Sequence, residues 1–276
     1  MRVVTCNLHG GVDGWGRPTG ALAHVLALNA DVLVCPETWR GDDGEDQFTR
    51  VLADPDLRGH FVPLARAERA VTERAGRGWQ PLTAHLTGEH GLYFTEHRDL
   101  SRWQRMRRRT TRLEPGAWGL ALYTRLEVEA MRDVALPRQP RERVRRGLII
   151  ADLRDGDRPL RVIAVHGPHL SHGSFRTYRD VRRIAEQTEP PRPTLLVGDF
   201  NSWRPPLRVF FPGWRSTARA RTWPARHPHS QIDHILARGP WRVRDAGATN
   251  GGSDHRALRV DLDWPPSDDL DAGALG

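Results

Sequence analysis

The chain reads as an α/β protein built on two packed β-sheets flanked by helices. Three observations predict this. Short runs of Val, Ile and Leu bounded by turn formers recur from residue 2 to residue 262, the pattern of buried strands. Apolar residues at helical spacing occur early, at Leu22, Val25, Leu26 and Leu28, and late, at Val181, Ile184 and Ala185. No linker, low-complexity stretch or repeat period divides the interior, so residues 1–264 read as one domain.

In chain order, a first strand covers 2–7, and the Gly-rich stretch 10–16 is a loop too irregular for a dinucleotide or phosphate-loop fingerprint. Pro18 opens a helix reaching Asn29. A second strand at 31–35 ends at Glu37, a second helix covers 45–52, and a strand follows at 61–64. Short strands are expected at 83–86 and 91–94, ahead of an Arg-rich segment at 102–112. Strands at 118–124, 147–153 and 160–165 precede a helix at 175–187 and a strand at 194–197. A loop rich in Trp, Pro and Arg leads to strands at 232–236 and 256–262. The acidic tail 265–276, with its Pro and Gly, is expected to fray.

Composition narrows the setting. No apolar stretch approaches the roughly 18 residues of a membrane span. The N-terminus enters a strand without a basic region or a cleavage site, so a cytoplasmic monomer is expected. Strand alternation puts Cys6 opposite Asn7 and Cys35 on the side of Glu37, so the two thiols are expected reduced and in different layers. The net charge of +8 is carried entirely by Arg, without one Lys, which points to a coding bias more than to selection for phosphate contacts. The cluster around Arg107, Arg108 and Arg109 is denser than that bias; it reads either as a solvated face or as a polyanion contact.

Polar islands stand where the apolar runs stop: Thr5-Cys6-Asn7, Pro36-Glu37-Thr38, Gly198-Asp199-Phe200-Asn201 and Ser253-Asp254-His255. Side chains at strand ends are held by a rigid sheet yet remain open to solvent, which suits a catalytic rim. Singly, each island has an ordinary explanation as a turn or a cap; co-occurrence in this order decides for chemistry. Hydrolysis of a phosphate ester needs a divalent ion, a base for an in-line water and donors for the transition state. Glu37 is a hard oxygen ligand of the kind Mg²⁺ prefers, and Asn7 ligates or orients without adding charge. Asp199 and Asn201 suit a base and a phosphate-orienting group, His166 and His255 suit donors, and Asp233 suits a partner for His255.

These motifs, with Gly119-Leu120-Ala121-Leu122, Val165-His166 and Ile232-Asp233-His234-Ile235, resemble the endonuclease/exonuclease/phosphatase superfamily over about residues 2–262. The resemblance implies a four-layered α/β sandwich of two packed, mostly antiparallel β-sheets flanked by helices, and a Mg²⁺ or Mn²⁺ cofactor. It implies Glu37 as the main metal ligand assisted by Asn7 and Asp254, Asp199 as the group that activates water, and Asn201 as the group that positions the phosphate. His255, held by Asp233, would stabilise the transition state together with a histidine that is either His166, directly after the strand, or His169, in a His-Leu pair. His172 and His234 read as bystanders.

The expected reaction is metal-dependent phosphodiester hydrolysis, with nucleic acid as the substrate and no membrane partner. Arg107, Arg108 and Arg109 would track phosphates; Trp203 and Arg204, just after the catalytic turn, would contact bases. A phosphatase or phosphodiesterase for a small metabolite, an inositol phosphate or a lipid head group is the alternative. An inactive binding module would have lost Glu37, Asp199 or His255, and all three are present.

Overall fold

Alternation of side chains, in and out along each strand, builds the architecture. A computed structural model describes residues 1–13, 18–43, 46–72, 85–87, 91–93, 111–139, 144–169 and 174–265. One sheet holds β1 (Arg2–Thr5), β2 (Val32–Gly41), β3 (Arg58–Thr72), β4 (His85–Thr87), β5 (Gly91–Tyr93), β6 (Thr111–Thr124), β13 (Arg242–Asn250) and β14 (Arg256–Asp263), in the order β13-β14-β1-β2-β6-β3-β5-β4. The second holds β7 (Glu127–Ala135), β8 (Gly147–Asp155), β9 (Arg158–His166), β10 (Thr194–Asp199), β11 (Arg215–Ser216) and β12 (Asp233–Arg238), in the order β11-β12-β10-β9-β8-β7. Pairs β1–β2, β3–β5 and β9–β10 are parallel; the other ladders are antiparallel.

Among the described residues, four α-helices complete the layers: α1 (Ala21–Leu26), α2 (Gln47–Val51), α3 (Ser174–Gln187) and α4 (Arg204–Phe210). Between the sheets, Val3, Val32, Val34, Leu120, Leu122, Val162, Ala164, Leu195, Val197 and Ile235 form the central core. Val25 and Val51, from α1 and α2, pack on the outer face of the eight-stranded sheet with Val4, Leu33 and Ala121. Tyr178 and Val181 of α3 and Leu207 of α4 pack on the outer face of the other sheet with Ile163, Val165 and Leu196. The result is the four-layered sandwich expected from the sequence.

Several expectations need correction. The strands expected from the sequence do not include β7 or β13. Each lies at a sheet edge and pairs on one side only, and most of its residues contact solvent, so neither shows an apolar run. α1 is shorter than 18–29, starting after Gly20. The Trp-, Pro- and Arg-rich loop contains α4, whose first turn accommodates Pro205 and Pro206 because its N–H groups have no intrahelical acceptor. β2 does not end at Glu37 but continues to Gly41 through a bulge, where two residues face one on β6 and Glu37 takes φ 56°. That extra residue also overturns the cysteine layering. Cys6 and Cys35 are both free and lie in one core cluster under α1, because alternation carried across Pro36 to Glu37 fails at the bulge. Arg107, Arg108, Arg109, His172 and residues 266–276 lie outside the described residues. No helix among the described residues is long and apolar enough to cross a membrane.

Candidate active site

The same alternation carries polar side chains to one end of the inter-sheet space. Val162 and Ala164 face the central core, so His166 does too; Leu195 and Val197 place Asp199 there, and Ile235 and Ala237 place Asp233. Val3 sets the phase for Asn7, since the β1–β2 ladder continues through Cys6 N–H to Val34 O and Leu8 N–H to Pro36 O. Glu37 is out of phase, and the left-handed bulge redirects it to the site. Gly198 allows the tightest approach. A Cβ there would lie 1.9 Å from Val165 O, and the glycine's φ of 149° is one that side chains rarely adopt. This close pairing sets Asp199 beside His166 in register.

The cluster is held by short bonds. Asn7 Nδ2 donates to Glu37 Oε1 at 3.0 Å and to Asp199 Oδ2 at 3.1 Å, while Asn7 Oδ1 accepts His9 N–H at 2.9 Å. Asp199 Oδ1 accepts the backbone N–H of Asn201 at 2.7 Å, and Asn201 Nδ2 donates to Gly167 O at 3.1 Å. His255 Nδ1 lies 2.8 Å from Asp233 Oδ2, and its Nε2 lies 3.9 Å from Asp199 Oδ2. His166 Nε2 lies 3.7 Å from Glu37 Oε1 and 4.0 Å from Asp199 Oδ2. His169 is exposed, while His166 is buried at the cluster. His234 points to the outer face, bonded to Ser202 O at 2.9 Å and edge-on to Phe200.

Burial and neighbouring charge set the protonation pattern. Burial and the nearby Asp233 push the Asp199 carboxyl up, to about 7, against the opposing pull of His255 and the Asn201 and Asn7 bonds. Burial disfavours a charged His255, but Asp233, Asp199 and Asp254 outweigh it and lift the imidazolium to about 10. Burial, Arg146 and His255 push His166 well below its ordinary value, so the imidazole is neutral. Asp254 stays low despite its burial because His9, His255 and the Ser253 hydroxyl favour its charge.

Two donor sets compete as a cation site. The ligand atoms of Asp199, Asp233 and His255 lie within 4.8 Å of one another, but all three residues are buried and His255 Nδ1 already bonds Asp233. A hard cation that retains waters suits oxygen donors beside solvent better. The Glu37 side chain is 18% exposed and Asp254 is only partly buried, so these two fit. Asn7 does not offer its oxygen in this arrangement: His9 N–H occupies it, and the amide bridges carboxylates instead.

The family model for endonuclease/exonuclease/phosphatase proteins matches residues 4–255. The chain belongs to this family. Sequence comparison with curated proteins gives no match. Among solved structures, a family protein from Leptotrichia buccalis superposes with TM-score 0.64 at 13% identity, covering 96% of this chain and all of that one. D. rerio TDP2 complexed with a single-strand DNA product gives 0.60 at 12%, covering 95% and 98%. The Bacteroides thetaiotaomicron mannosyl-6-phosphatase Bt3783 gives 0.60 at 14%, covering 96% and 100%. At these identities the likeness carries the fold. The family comprises hydrolases of phosphoester bonds.

One titratable side chain beside the cluster, His9, has no place in the sequence reading. His9 has φ 48°, its Nδ1 lies 2.7 Å from Val12 O, and Asp254 and Glu37 raise its affinity for a proton despite burial. The available signal was an imidazole in a Gly-rich turn two residues past Asn7. Behind that turn, buried Arg69 pairs with Glu114 at 2.7 Å and donates to Gly10 O. A Cβ on Gly11 would lie 2.2 Å from Gln47 Nε2. At the rim, Trp203 is 53% exposed and donates to Ser230 Oγ at 3.3 Å, and Arg204 opens α4.

Proposed function

We propose that the chain is a divalent-metal-dependent phosphodiesterase acting on nucleic acid by in-line attack of a water that Asp199 activates. The convergence of Glu37, Asn7, Asp199 and the His255–Asp233 pair at one end of the inter-sheet space supports this reading. The oxygen donors Glu37 and Asp254 would hold Mg²⁺ or Mn²⁺, which when bound neutralises charge on phosphoryl oxygens. Asn7 keeps Glu37 and Asp199 from drifting apart, and orients without adding charge. Asp199, with a carboxyl lifted by burial, takes the proton of the attacking water more readily than an exposed carboxylate would. His255, protonated through Asp233, donates to a phosphoryl oxygen as negative charge grows there. His166, neutral, donates from one ring N–H; Asn201 positions the phosphate.

The alternative is a phosphatase for a small phosphorylated metabolite. It is favoured by the mannosyl-6-phosphatase, which superposes as well as the DNA-bound neighbour does. Incubation with Mg²⁺ or Mn²⁺ and, separately, plasmid DNA, bis-p-nitrophenyl phosphate and p-nitrophenyl phosphate separates the two. Nicked plasmid supports the nuclease, and monoester turnover alone supports the phosphatase. No turnover of any ester with either ion rejects both.

A further inference from the structure

Past the catalytic rim lies a cavity of about 510 Å³ whose wall includes Arg204, Arg208, Arg215 and Arg219, with Phe211 and Trp214. A second hollow of about 530 Å³ shares Arg204 and Arg208 and adds Trp203, His229, Ser230 and Gln231. The two hollows adjoin along Arg204 and Arg208 and are described together as one groove. It starts at Trp203 and Gln231, each two residues from a member of the cluster (Asn201 and Asp233), and runs along α4 to Trp214.

The groove gathers positive charge. Among the described residues, none of these four arginines forms an ion pair with a carboxylate; Arg215 donates to the Trp241 carbonyl. Burial and the charges of Arg219 and Arg208 all disfavour the Arg204 guanidinium. Arg204 Nε and the indole N–H of Trp214 are buried without an acceptor. Buried donors left unpaired, beside clustered like charge, are costly in a folded chain unless an anion meets them. Each hollow is the size of a small-molecule site, so a single phosphorylated metabolite would fill one of them. A strand with repeated phosphates would meet the shared Arg204 and Arg208 from either hollow.

We infer that this groove binds a further phosphate of a single-stranded nucleic acid whose scissile phosphate lies in the catalytic cluster, with Arg208 and Arg219 on phosphate oxygens and Trp203 stacked on a base. The inference rests on the phosphodiesterase reading and adds the path of the strand. Guanidinium groups suit phosphate through paired N–H donors, and an exposed indole accepts any base face.

The test is equilibrium binding of a fluorescein-labelled oligothymidylate of about a dozen nucleotides to the full chain in EDTA, read by polarisation across a salt series. Arg208→Ser/Arg219→Ser should raise Kd about ten-fold or more. It should also lower the slope of log Kd against log salt by about 1.4, roughly 0.7 for each lost contact to a single strand. Arg208→Lys/Arg219→Lys should restore the slope. Arg183→Ser/Arg244→Ser, which removes the same charge elsewhere, should leave both within two-fold. Three results would overturn the site: a groove variant with the parent Kd and slope, an equal loss in the Arg183/Arg244 variant, or a parent chain that does not bind the oligonucleotide. The hydrolase reading fails separately, when the parent chain binds the strand through the groove yet turns over no diester with either ion.

Discussion

The central strands carry opposite kinds of polar chemistry at their two ends. At the end away from the cluster, charges are matched. Arg2 pairs with Asp261 across β1 and β14 at 2.8 Å, and Arg161, buried on β9, pairs with Asp152 at 2.7 Å while donating to Thr188 O and Glu189 O. At the end that carries the cluster, Asp199 and Asp233 crowd one another, the Asp233 Oδ1 and His166 Nδ1 atoms are buried without partners, and His9, Glu37 and Asn201 hold positive φ. The first end spends its polar groups on stability. The second accumulates unfavourable terms of the kind found where groups must change charge during a reaction.

Four substitutions test that contrast, in falling order of effect. Asp199→Asn should cut kcat about a thousand-fold, some 4 kcal/mol of barrier. The amide accepts only one of the two donors that bond the carboxylate, Asn201 N–H and Asn7 Nδ2. It also removes a carboxyl whose ionised form is disfavoured by burial, so the variant's Tm should rise relative to the parent's as pH increases from about 3.9, the unfolded carboxyl value, to about 7. Near-normal kcat would reject Asp199 as the base, and a Tm difference independent of pH would reject the contrast. Arg161→Ala should do the reverse, costing about 3–5 kcal/mol by stranding Asp152 while leaving the folded enzyme's kcat within a few-fold. Denaturant unfolding measures that loss.

Gly198→Ala should cost about 3 kcal/mol, a fall in Tm of roughly 6–12 °C, since its Cβ would collide with the Val165 carbonyl and separate β9 from β10. Calorimetry showing an unchanged Tm would mean that the strand relaxes freely there. Arg2→Ser is the smallest change, worth less than about 1 kcal/mol because Arg2 is part-exposed. The Arg2 hydrogen bond holds the Asp261 carboxyl below its ordinary value. Its contribution is therefore complete above the unfolded carboxyl value near 3.9 and lost as pH falls through the folded one. Tm measured from pH 6 to pH 2 should lose that part of its acid slope in the variant; an identical profile would remove Arg2 from the account.

Most of the central architecture was legible because buried strands must be continuously apolar when both faces pack. β8, β9 and β10 announce themselves through Leu148-Ile149-Ile150, Val162-Ile163-Ala164-Val165 and Leu195-Leu196-Val197. β7 and β13 do not, since an edge strand with wet faces has no such constraint. The seven-residue α4 is too short to display an amphipathic period. In the candidate site, Asn7, Asp199, Asp233 and His166 were legible by parity with their strands. Glu37 stood out only as a motif, because parity alone sends it to the wrong face. His9 was hidden in a turn whose charges come from residues remote in the chain.

By itself, the order of residues determined the two-sheet sandwich, the carboxylate and imidazole types at the strand ends, and their kinship with a phosphoester-hydrolase family. These follow from local patterns, hydrophobic period and short motifs, that do not depend on distant partners. Only the tertiary structure decided between His166 and His169 at the cluster, turned Glu37 inward through a bulge, set the proton affinities of Asp199 and His255, and joined four arginines along one groove. Those outcomes depend on distances between segments far apart in sequence and on the water excluded between them, and burial and Coulomb energies are properties of that arrangement alone.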